Sequence, residues 1–352
     1  MKILHSSDLH LNKHHPERIG ALDRILEVAR ERRADALLIA GDFFDSKADS
    51  DYFRPKLRQK FNGLGFKVYL IPGNHDYGSF EGDLFFGNQL GVLNRRPFQS
   101  IDLGLVQLVA VPYYNQDFNR YALDIAEAKA DKVNILLLHC SLDAPFLSED
   151  EFGPEQGEGY LPVATKVLAG LGFDYVLAGH YHSRFLVHNI SERCFFVYSG
   201  SPVSITNKEI GPRALTFLDT EKREIASVPL KTRYYDRLEL MLEPGKEQET
   251  LNTLKVKIKE HDPANAFLEV VFDGFTSRGE KKLKQEIDRI LAGLKEYNLD
   301  TVYRYRDIAD LLADPAYIGF SKKLKQKNLE KKLEKEIEMT FRTLFSRLKY
   351  QG

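Results

Sequence analysis

A chain of 352 residues, 43% of them hydrophobic and 29% charged, has the composition of a soluble globular protein and is long enough for one large domain or two ordinary ones. The two cysteines, Cys140 and Cys194, exclude a disulfide framework and a cysteine zinc site, and their apolar surroundings predict buried thiols in a reducing compartment. The formal net charge of −1 neither requires nor excludes a polyanionic partner, because charge can be segregated on a surface.

The N-terminal stretch "MKILHSSDLH" does not have the features of a targeting segment. Its apolar part is too short for a signal peptide, and polar residues follow it at once. No window of the sequence approaches the length of a transmembrane helix. We therefore expect a cytoplasmic protein without a membrane partner.

The first two-thirds of the chain alternates short apolar runs with amphipathic runs. "KIL" begins a predicted strand, and "PERIGALDRILEVARERRA" has apolar residues at helical spacing after Pro16. "ADALLIAGD" and "FKVYLIPGN" are predicted strands, and "YFRPKLRQKFNGLG" between them is a predicted helix that ends at glycine. Further strands are predicted in "VQLVAVPYY", "NILLLHCS", "DYVLAGHYH" and "CFFVYSGSP". The alternation predicts an α/β fold with layered α/β/α organisation.

The pattern changes near Thr232. Three predicted strands ("DRLELML", "AFLEVVFDG" and "DTVYRYRDI") are separated by two predicted helices, "EQETLNTLKVKIKEHD" and "RGEKKLKQEIDRILAGLKEY". This arrangement predicts a small α+β domain after the larger one. We place the domains at residues 1–232, 233–313 and 314–352.

The C-terminal segment is predicted to be helical and amphipathic. From Ser321 to Gly352 it has eight lysines and two arginines against four glutamates, a net charge of +6. One helical stripe collects its apolar residues, namely Leu329, Leu333, Ile337, Phe341, Leu344, Phe345 and Leu348. The stripe fits either a partner protein or the protein's own domain.

Polar residues of metal-binding type follow the predicted strands of the larger domain. Each lies where an apolar run stops, and together they are Asp8, His10, Asp42, Asn74, His139, His180 and His182. Because parallel strands end on one edge of a sheet, residues far apart in the chain can converge there. A mixed set of oxygen and imidazole ligands suits divalent ions such as Mn²⁺, Fe²⁺ and Zn²⁺, and a set this large favours two ions.

The motifs resemble those of the calcineurin-like metallophosphoesterase superfamily. The elements occur in the expected order as D-x-H (Asp8, His10), G-D-x-x-D (41–45), G-N-H-D (73–76), a strand-final His139, and G-H-x-H (179–182). Single elements are weak, because G-D and G-H dipeptides are common. The five in order, each after an apolar run, are a specific signal over residues 1–230.

The resemblance implies a role for each matching residue. One ion takes Asp8, His10 and His182, the other takes Asn74, His139 and His180, and Asp42 bridges the two. A water held between the ions attacks phosphorus, and His75 faces the phosphate, where it stabilises charge or protonates the leaving oxygen. Asp76 shapes the loop. The resemblance implies a layered metallophosphoesterase sandwich with a small cap domain and a C-terminal helix.

Within this superfamily the chain is most similar to the SbcD-type DNA repair nucleases. "ILHSSDLHL", "LIAGDFFD", "IPGNHD" and "VYSGSP" carry that similarity, together with the added α+β domain. It implies a Mn²⁺-dependent 3′-exonuclease and endonuclease that acts on DNA as a homodimer. It also implies docking of the C-terminal helix on an SbcC-like SMC-type ATPase. The alternatives are a stand-alone phosphodiesterase or phosphatase on small phosphoesters, and a metal-bound scaffold without turnover.

Overall fold

The computed structural model describes residues 1–82, 84–114, 117–144 and 161–350, with side chains up to residue 345. The chain forms two units, Met1–Asp236 and Arg237–Gly352. Strand β15 (Tyr234–Leu242) begins in the first unit and continues into the second. In the part of the chain that the structure describes, none of the helices combines the length and apolarity needed to cross a bilayer.

Two six-stranded sheets dominate the first unit. The strands in chain order are β1 (Lys2–Ser6), β2 (Ala36–Ala40), β3 (Lys67–Ile71), β4 (Leu90–Val92), β5 (Gln99–Asp102), β6 (Val106–Val111), β7 (Val133–His139), β8 (Ser141–Asp143), β9 (Pro162–Ala164), β10 (Tyr175–Gly179), β11 (Leu186–Asn189), β12 (Phe195–Tyr198), β13 (Ala214–Asp219) and β14 (Glu224–Pro229). Sheet one has the order β14-β13-β1-β2-β3-β4, and sheet two has the order β11-β12-β10-β7-β6-β5. Strands β8 and β9 form a separate pair.

Four α-helices accompany these sheets in the described part of the first unit: α1 (Pro16–Glu31), α2 (Lys47–Lys60), α3 (Ala122–Glu127) and α4 (Thr165–Leu171). One apolar cluster joins sheet one to α1 and α2, and a second joins sheet two to α3 and α4. A third cluster joins the facing sides of the two sheets, with Leu38 of β2 and Leu177 of β10 fully buried in it. The predicted layered α/β architecture is confirmed, and its central layer is a pair of sheets packed face to face.

The central strands are continuous apolar runs because both of their faces are covered. β2 reads "ALLIA" and is buried at all five positions. It pairs in parallel with β1 and with β3, so the carboxyl ends of these three strands lie on one edge of sheet one. β7 and β10 pair in parallel in sheet two, with Gly179 opposite His139.

Helix α2 begins five residues earlier than its apolar pattern predicts, at Lys47 instead of Tyr52. The reason is local: the hydroxyl of Ser46 accepts a hydrogen bond from the backbone N–H of Asp49 and caps the first turn. The helix ends at Lys60, before the glycines that were expected to end it.

The second unit contains the predicted mixture of strands and helices. Its remaining strands are β16 (Ala266–Thr276), β17 (Asn298–Tyr303) and β18 (Arg306–Asp307), and its helices are α5 (Glu247–Lys257), α6 (Glu280–Ala292), α7 (Ala309–Leu312), α8 (Pro315–Gln326) and α9 (Lys331–Tyr350). The sheet has the order β15-β16-β17, and β18 also pairs with β16. The segment "DTVYRYRDI", expected as one strand, forms the two strands β17 and β18.

The C-terminal apolar stripe is divided by a break in the helix. Asn328 has a φ of +46°, which an α-helix cannot include, and α9 starts only at Lys331. Leu329 therefore lies outside the helix that contains Leu333 and Phe341, which corrects its place in the predicted stripe. The side chain of Leu348 lies outside the described residues.

Candidate metal centre

The strand ends of both sheets meet at the candidate site. Asp8 and His10 follow β1, and Asp42 follows β2, while His139 ends β7. The Nδ1–H of His139 donates to the backbone carbonyl of Ala40 at 2.8 Å, which joins the end of sheet two to the end of sheet one. Residues from three of the five motif elements are thereby brought to one place.

The backbone at this edge adopts a conformation that is rare outside glycine. Asp8, His10, Asp42 and His180 have φ values of 55°, 46°, 48° and 94°. Hydrogen bonds hold the first loops in this shape, since the N–H of Asp8 donates to Gly41 O at 3.1 Å and the N–H of His10 donates to Asp42 O at 2.9 Å. Such conformations persist only where the surroundings enforce them, and they concentrate at functional sites.

Two glycines permit the close approach of the loops. A Cβ atom at Gly73 would lie 2.1 Å from Oδ1 of Asp42, and one at Gly179 would lie 1.9 Å from the carbonyl oxygen of Ala40. Both distances are far below contact distance, so any side chain at these positions displaces the backbone. The glycine in G-N-H-D and the glycine in G-H-x-H are thus required by packing.

One half of the site contains Asp8, His10, Asp42 and His182. Each offers one ligand atom, and these atoms lie within 4.8 Å of one another with all four residues buried. The Nε2 atoms of His10 and His182 are 3.2 Å apart. Oδ1 of Asp8 is 3.8 Å from Nε2 of His182. Their donor atoms converge on one small volume.

The other half contains Asn74, His139 and His180, again beside Asp42. Nε2 of His139 lies 2.8 Å from Oδ1 of Asn74 and 3.3 Å from Oδ2 of Asp42. The ring centroids of His139 and His180 are 5.4 Å apart. Because Nδ1 of His139 is engaged by Ala40, its Nε2 faces Asn74 and Asp42.

Asp42 stands between the two halves and has the environment of a cation ligand. Its Oδ2 is fully buried and accepts no hydrogen bond from the described residues, although nitrogens of His139 and His10 lie 3.3 and 3.7 Å away. An unsatisfied buried carboxylate oxygen is costly unless a cation occupies the space it faces. The residues present therefore fit divalent ions, which accept a mixed oxygen and imidazole donor set.

Asp42 and His139 shift each other's pKa in opposite directions. Burial by itself raises the pKa of Asp42, but the facing imidazoles of His139, His10 and His75 outweigh it and hold that pKa well below its usual range. Burial lowers the pKa of His139, but the charge of Asp42 overrides this and raises the pKa to about 10. The negative charge of the Asp42 carboxylate thus favours positive charge on the groups that face it.

His75 and Asp76 have different environments in the same loop. The backbone N–H of His75 donates to Oδ1 of Asp42 at 2.9 Å, while its side chain is exposed and its ring centroid is 4.8 Å from that of His10. Asp76 is buried and accepts from the N–H groups of Gly73 and Phe43, each at 2.7 Å. Asp76 therefore ties the loop to the end of β2, and His75 lies at the solvent side of the site.

Several buried residues that contact the candidate ligands were not predicted as site residues. Arg18 is only 5% exposed and donates from Nη1 to the carbonyl of His10 at 2.7 Å. Ser7 donates to Oδ2 of Asp8 at 2.6 Å and also contacts Ser199 at 2.9 Å. Glu209 and Arg213 contact His182. Arg18, Glu209 and Arg213 lie outside every motif quoted from the sequence, whereas Ser7 and Ser199 lie inside "ILHSSDLHL" and "VYSGSP".

Comparisons with known proteins give a curated relative and several solved structures. The curated relative, the SbcD component of the SbcCD nuclease of Staphylococcus epidermidis, is 27% identical over 278 residues, which cover 66% of this chain and 70% of the relative. A dimetal phosphatase from Danio rerio aligns at a TM-score of 0.41 and 9% identity, covering 65% of this chain and 99% of the other. The Pseudomonas putida nuclease MPE aligns at a TM-score of 0.27 and 16% identity, covering 65% and 87%.

The family assignment rests on the first unit. The family model for calcineurin-like phosphoesterases matches residues 1–184, which include all five motif elements. Those elements surround the cluster of buried carboxylates and imidazoles described above. The chain belongs to the calcineurin-like phosphoesterase family.

Proposed function

We propose that this protein is a Mn²⁺-dependent DNA nuclease with 3′-exonuclease and endonuclease activity, acting in double-strand-break repair with an SMC-like ATPase. The observation that carries the proposal is the buried Asp42 Oδ2, which faces imidazoles of both halves of the site without a hydrogen bond. When bound at this point, two divalent ions would supply an acidified water as the nucleophile and would neutralise the phosphoryl oxygens. The extension from phosphoesterase to nuclease is supported by the similarity to a component of a nuclease.

The proposed ligand set divides as the two halves do. Asp8, His10 and His182 would hold one ion and Asn74, His139 and His180 would hold the other, with Asp42 a ligand of both. The hydrogen bond from His139 to Ala40 fixes which imidazole nitrogen faces the ions.

His75 is the proposed catalytic residue. Its side chain is exposed beside a cluster whose other members are largely buried, so it can reach a phosphodiester that approaches from solvent. From there it donates a proton to the leaving oxygen and stabilises the charge that develops on the phosphoryl group.

The second unit supplies the proposed contacts to DNA and to the ATPase. We assign residues 233–313 to the DNA-binding cap and 314–352 to the docking segment, in a homodimeric assembly. The docking surface is the apolar groove between α8 and α9, about 390 Å³ in volume, lined by Phe320, Leu333, Ile337, Phe341 and Leu344 among others. Its occupant is the coiled-coil base of the ATPase, whose apolar stripe would cover Leu333 and Leu344, which are 45% and 54% exposed.

The test compares labelled duplex DNA with a chromogenic phosphodiester, each incubated with the full chain and Mn²⁺. The nuclease proposal predicts release of nucleotides from DNA, lost on chelation of the metal and in His75→Ala. Hydrolysis of the chromogenic ester with intact DNA would instead identify a stand-alone phosphodiesterase. Failure on both substrates, with metal bound, would identify a scaffold without turnover.

A further inference from the structure

The imidazoles of His10 and His182 face each other across one half of the candidate metal centre. Their Nε2 atoms are 3.2 Å apart, and their ring centroids are 4.9 Å apart at an angle of 68°. The opposite ring nitrogen of each histidine lies against a carboxylate. Nδ1 of His10 is 3.2 Å from Oδ1 of Asp45, and Nδ1 of His182 is 3.4 Å from Oε1 of Glu209.

The backbone of each histidine is held by a buried arginine. Arg18 donates from Nη1 to the carbonyl of His10 at 2.7 Å, and Arg213 donates from Nη2 to the carbonyl of His182. The two arginines are 5% and 3% exposed. Each histidine therefore has a carboxylate on its ring and a guanidinium on its main chain, although the supporting residues come from unrelated parts of the sequence.

Glu209 is itself held in place from several directions. Its Oε2 accepts from the hydroxyl of Ser201 and from the N–H of Ile205, both at 2.8 Å, and its Oε1 accepts from the N–H of Thr206 at 3.2 Å. The side chain of Arg213 donates from Nε to the carbonyl of Ser201 at 2.9 Å. The segment that contains Glu209 is thus held by hydrogen bonds of its own.

We propose that Glu209, supported by Arg213, is a positioning residue that holds the imidazole of His182 with its Nε2 directed at the metal centre. The inference rests on the ligand set proposed above. A carboxylate on the far nitrogen of a ligating histidine sets its tautomer and its ring orientation, which preorganises the site. Asp45 and Arg18 position His10 in the corresponding way.

Glu209 makes a contact beyond its support of the 201–209 turn. The hydrogen bonds from Ile205 and Ser201 go to Oε2, and Oε1 accepts from the N–H of Thr206, but Oε1 also lies 3.4 Å from Nδ1 of His182. Glu209 is also fully buried, and it is placed where its charge reaches a ring rather than solvent. A charged group in such a place is favoured only if it has a specific partner.

The test measures Mn²⁺ binding to the metal-free full chain by calorimetric titration, and thermal unfolding with and without Mn²⁺. The variants are Glu209→Ala, Glu209→Asp and Glu209→Gln. Glu247→Ala is the matched control, because Glu247 is also a buried carboxylate but accepts from Thr276 and Ser277 in the second unit. Loss of Glu247 should lower the melting temperature and leave metal affinity unchanged.

Removal of the Glu209 carboxylate should weaken one of two Mn²⁺ sites by about 10- to 100-fold while the other keeps its affinity. Glu209→Gln should restore most of that affinity, because its amide oxygen can lie against Nδ1 of His182 as the carboxylate oxygen does. If Glu209→Ala does not fold, Glu209→Asp decides, since a side chain shorter by one methylene withdraws from the ring but keeps its charge. Wild-type Mn²⁺ affinity in Glu209→Ala or in Glu209→Asp overturns the inference. Failure of the unaltered chain to bind two ions overturns the ligand set and this inference with it.

Discussion

The two units of the chain present their chemistry in opposite ways. In Met1–Asp236 the polar side chains of interest are mostly buried, held by strained backbone and by hydrogen bonds at strand ends. In Arg237–Gly352 the conspicuous feature is apolar, an exposed groove beside α9. The first unit therefore holds a set of polar side chains in fixed positions, while the second presents an exposed apolar surface. Substitutions in the first should change turnover of the isolated chain, and substitutions on the second should change assembly.

The largest effect on turnover is expected at Asp42, where both halves of the site meet. Asp42→Asn removes the charge that both proposed ions share and should abolish turnover and lower metal content at both sites. Metal analysis of the purified variant, beside a phosphodiesterase assay, checks this. Asp102→Asn is the control, because Asp102 is an exposed carboxylate bound to Lys132. Two bound ions and near-normal activity in Asp42→Asn would show that Asp42 is not the bridge.

The next effect is expected at His75. His75→Ala should keep both metal ions yet lower kcat by about 10²- to 10⁴-fold, the contribution that a general acid makes. The measurement is single-turnover cleavage together with metal content. His188→Ala, on the edge strand β11, should behave as wild type. Loss of metal from His75→Ala would instead identify His75 as a metal ligand, and the proposed separation of the metal ligands from the catalytic residue would be wrong.

A smaller effect, on stability, is expected from a methyl group at Gly179. Gly179→Ala places a carbon against the carbonyl of Ala40 and should destabilise the protein by about 1–3 kcal/mol or more, because backbone has to move. Gly170→Ala in α4 is the matched control, since nothing lies within 4 Å of a Cβ there and alanine favours the helix. Denaturant unfolding of both variants checks this. If Gly179→Ala were as stable as Gly170→Ala, the close approach of Gly179 to the carbonyl of Ala40 would not be required for stability.

The smallest effect on the isolated chain is expected at the groove of the second unit. Leu333→Glu with Leu344→Glu should leave Mn²⁺-dependent nuclease activity and the melting temperature unchanged, because both side chains are substantially exposed. The same change should abolish co-purification with the ATPase. Phe341→Glu is the contrasting variant, since its ring stacks on Phe320 with centroids 3.7 Å apart and the charge should lower the melting temperature. If the variant with both leucines changed still co-purified with the ATPase, the groove would not be the docking surface.

What could be predicted from the sequence depends on whether the pattern that marks a residue is local in the chain. Asp42 and His139 were recognisable because each follows an apolar run, with one glycine between the run and Asp42, so the local pattern carries the information. The buried supports were not, because Arg18 and Glu209 act through contacts with residues that only the fold brings near.

The end of the chain illustrates the same limit. The stripe from Leu329 onward has helical spacing without glycine or proline, yet the helix breaks at Asn328. Asparagine tolerates a positive φ more readily than most residues, but its presence does not require one. The packing of Phe341 on Phe320 across α8 and α9 accompanies the break, and it is a contact that helical periodicity does not reveal.

The central claim is that one constellation of strand-end residues holds two divalent ions that share Asp42. Anomalous diffraction from crystals grown with Mn²⁺ tests it most directly. We predict two peaks about 3.5–4 Å apart, one within bonding distance of Asp8, His10 and His182, the other within bonding distance of Asn74, His139 and His180, and both beside Asp42. A single peak, or two peaks of which either lies away from Asp42, would contradict the claim.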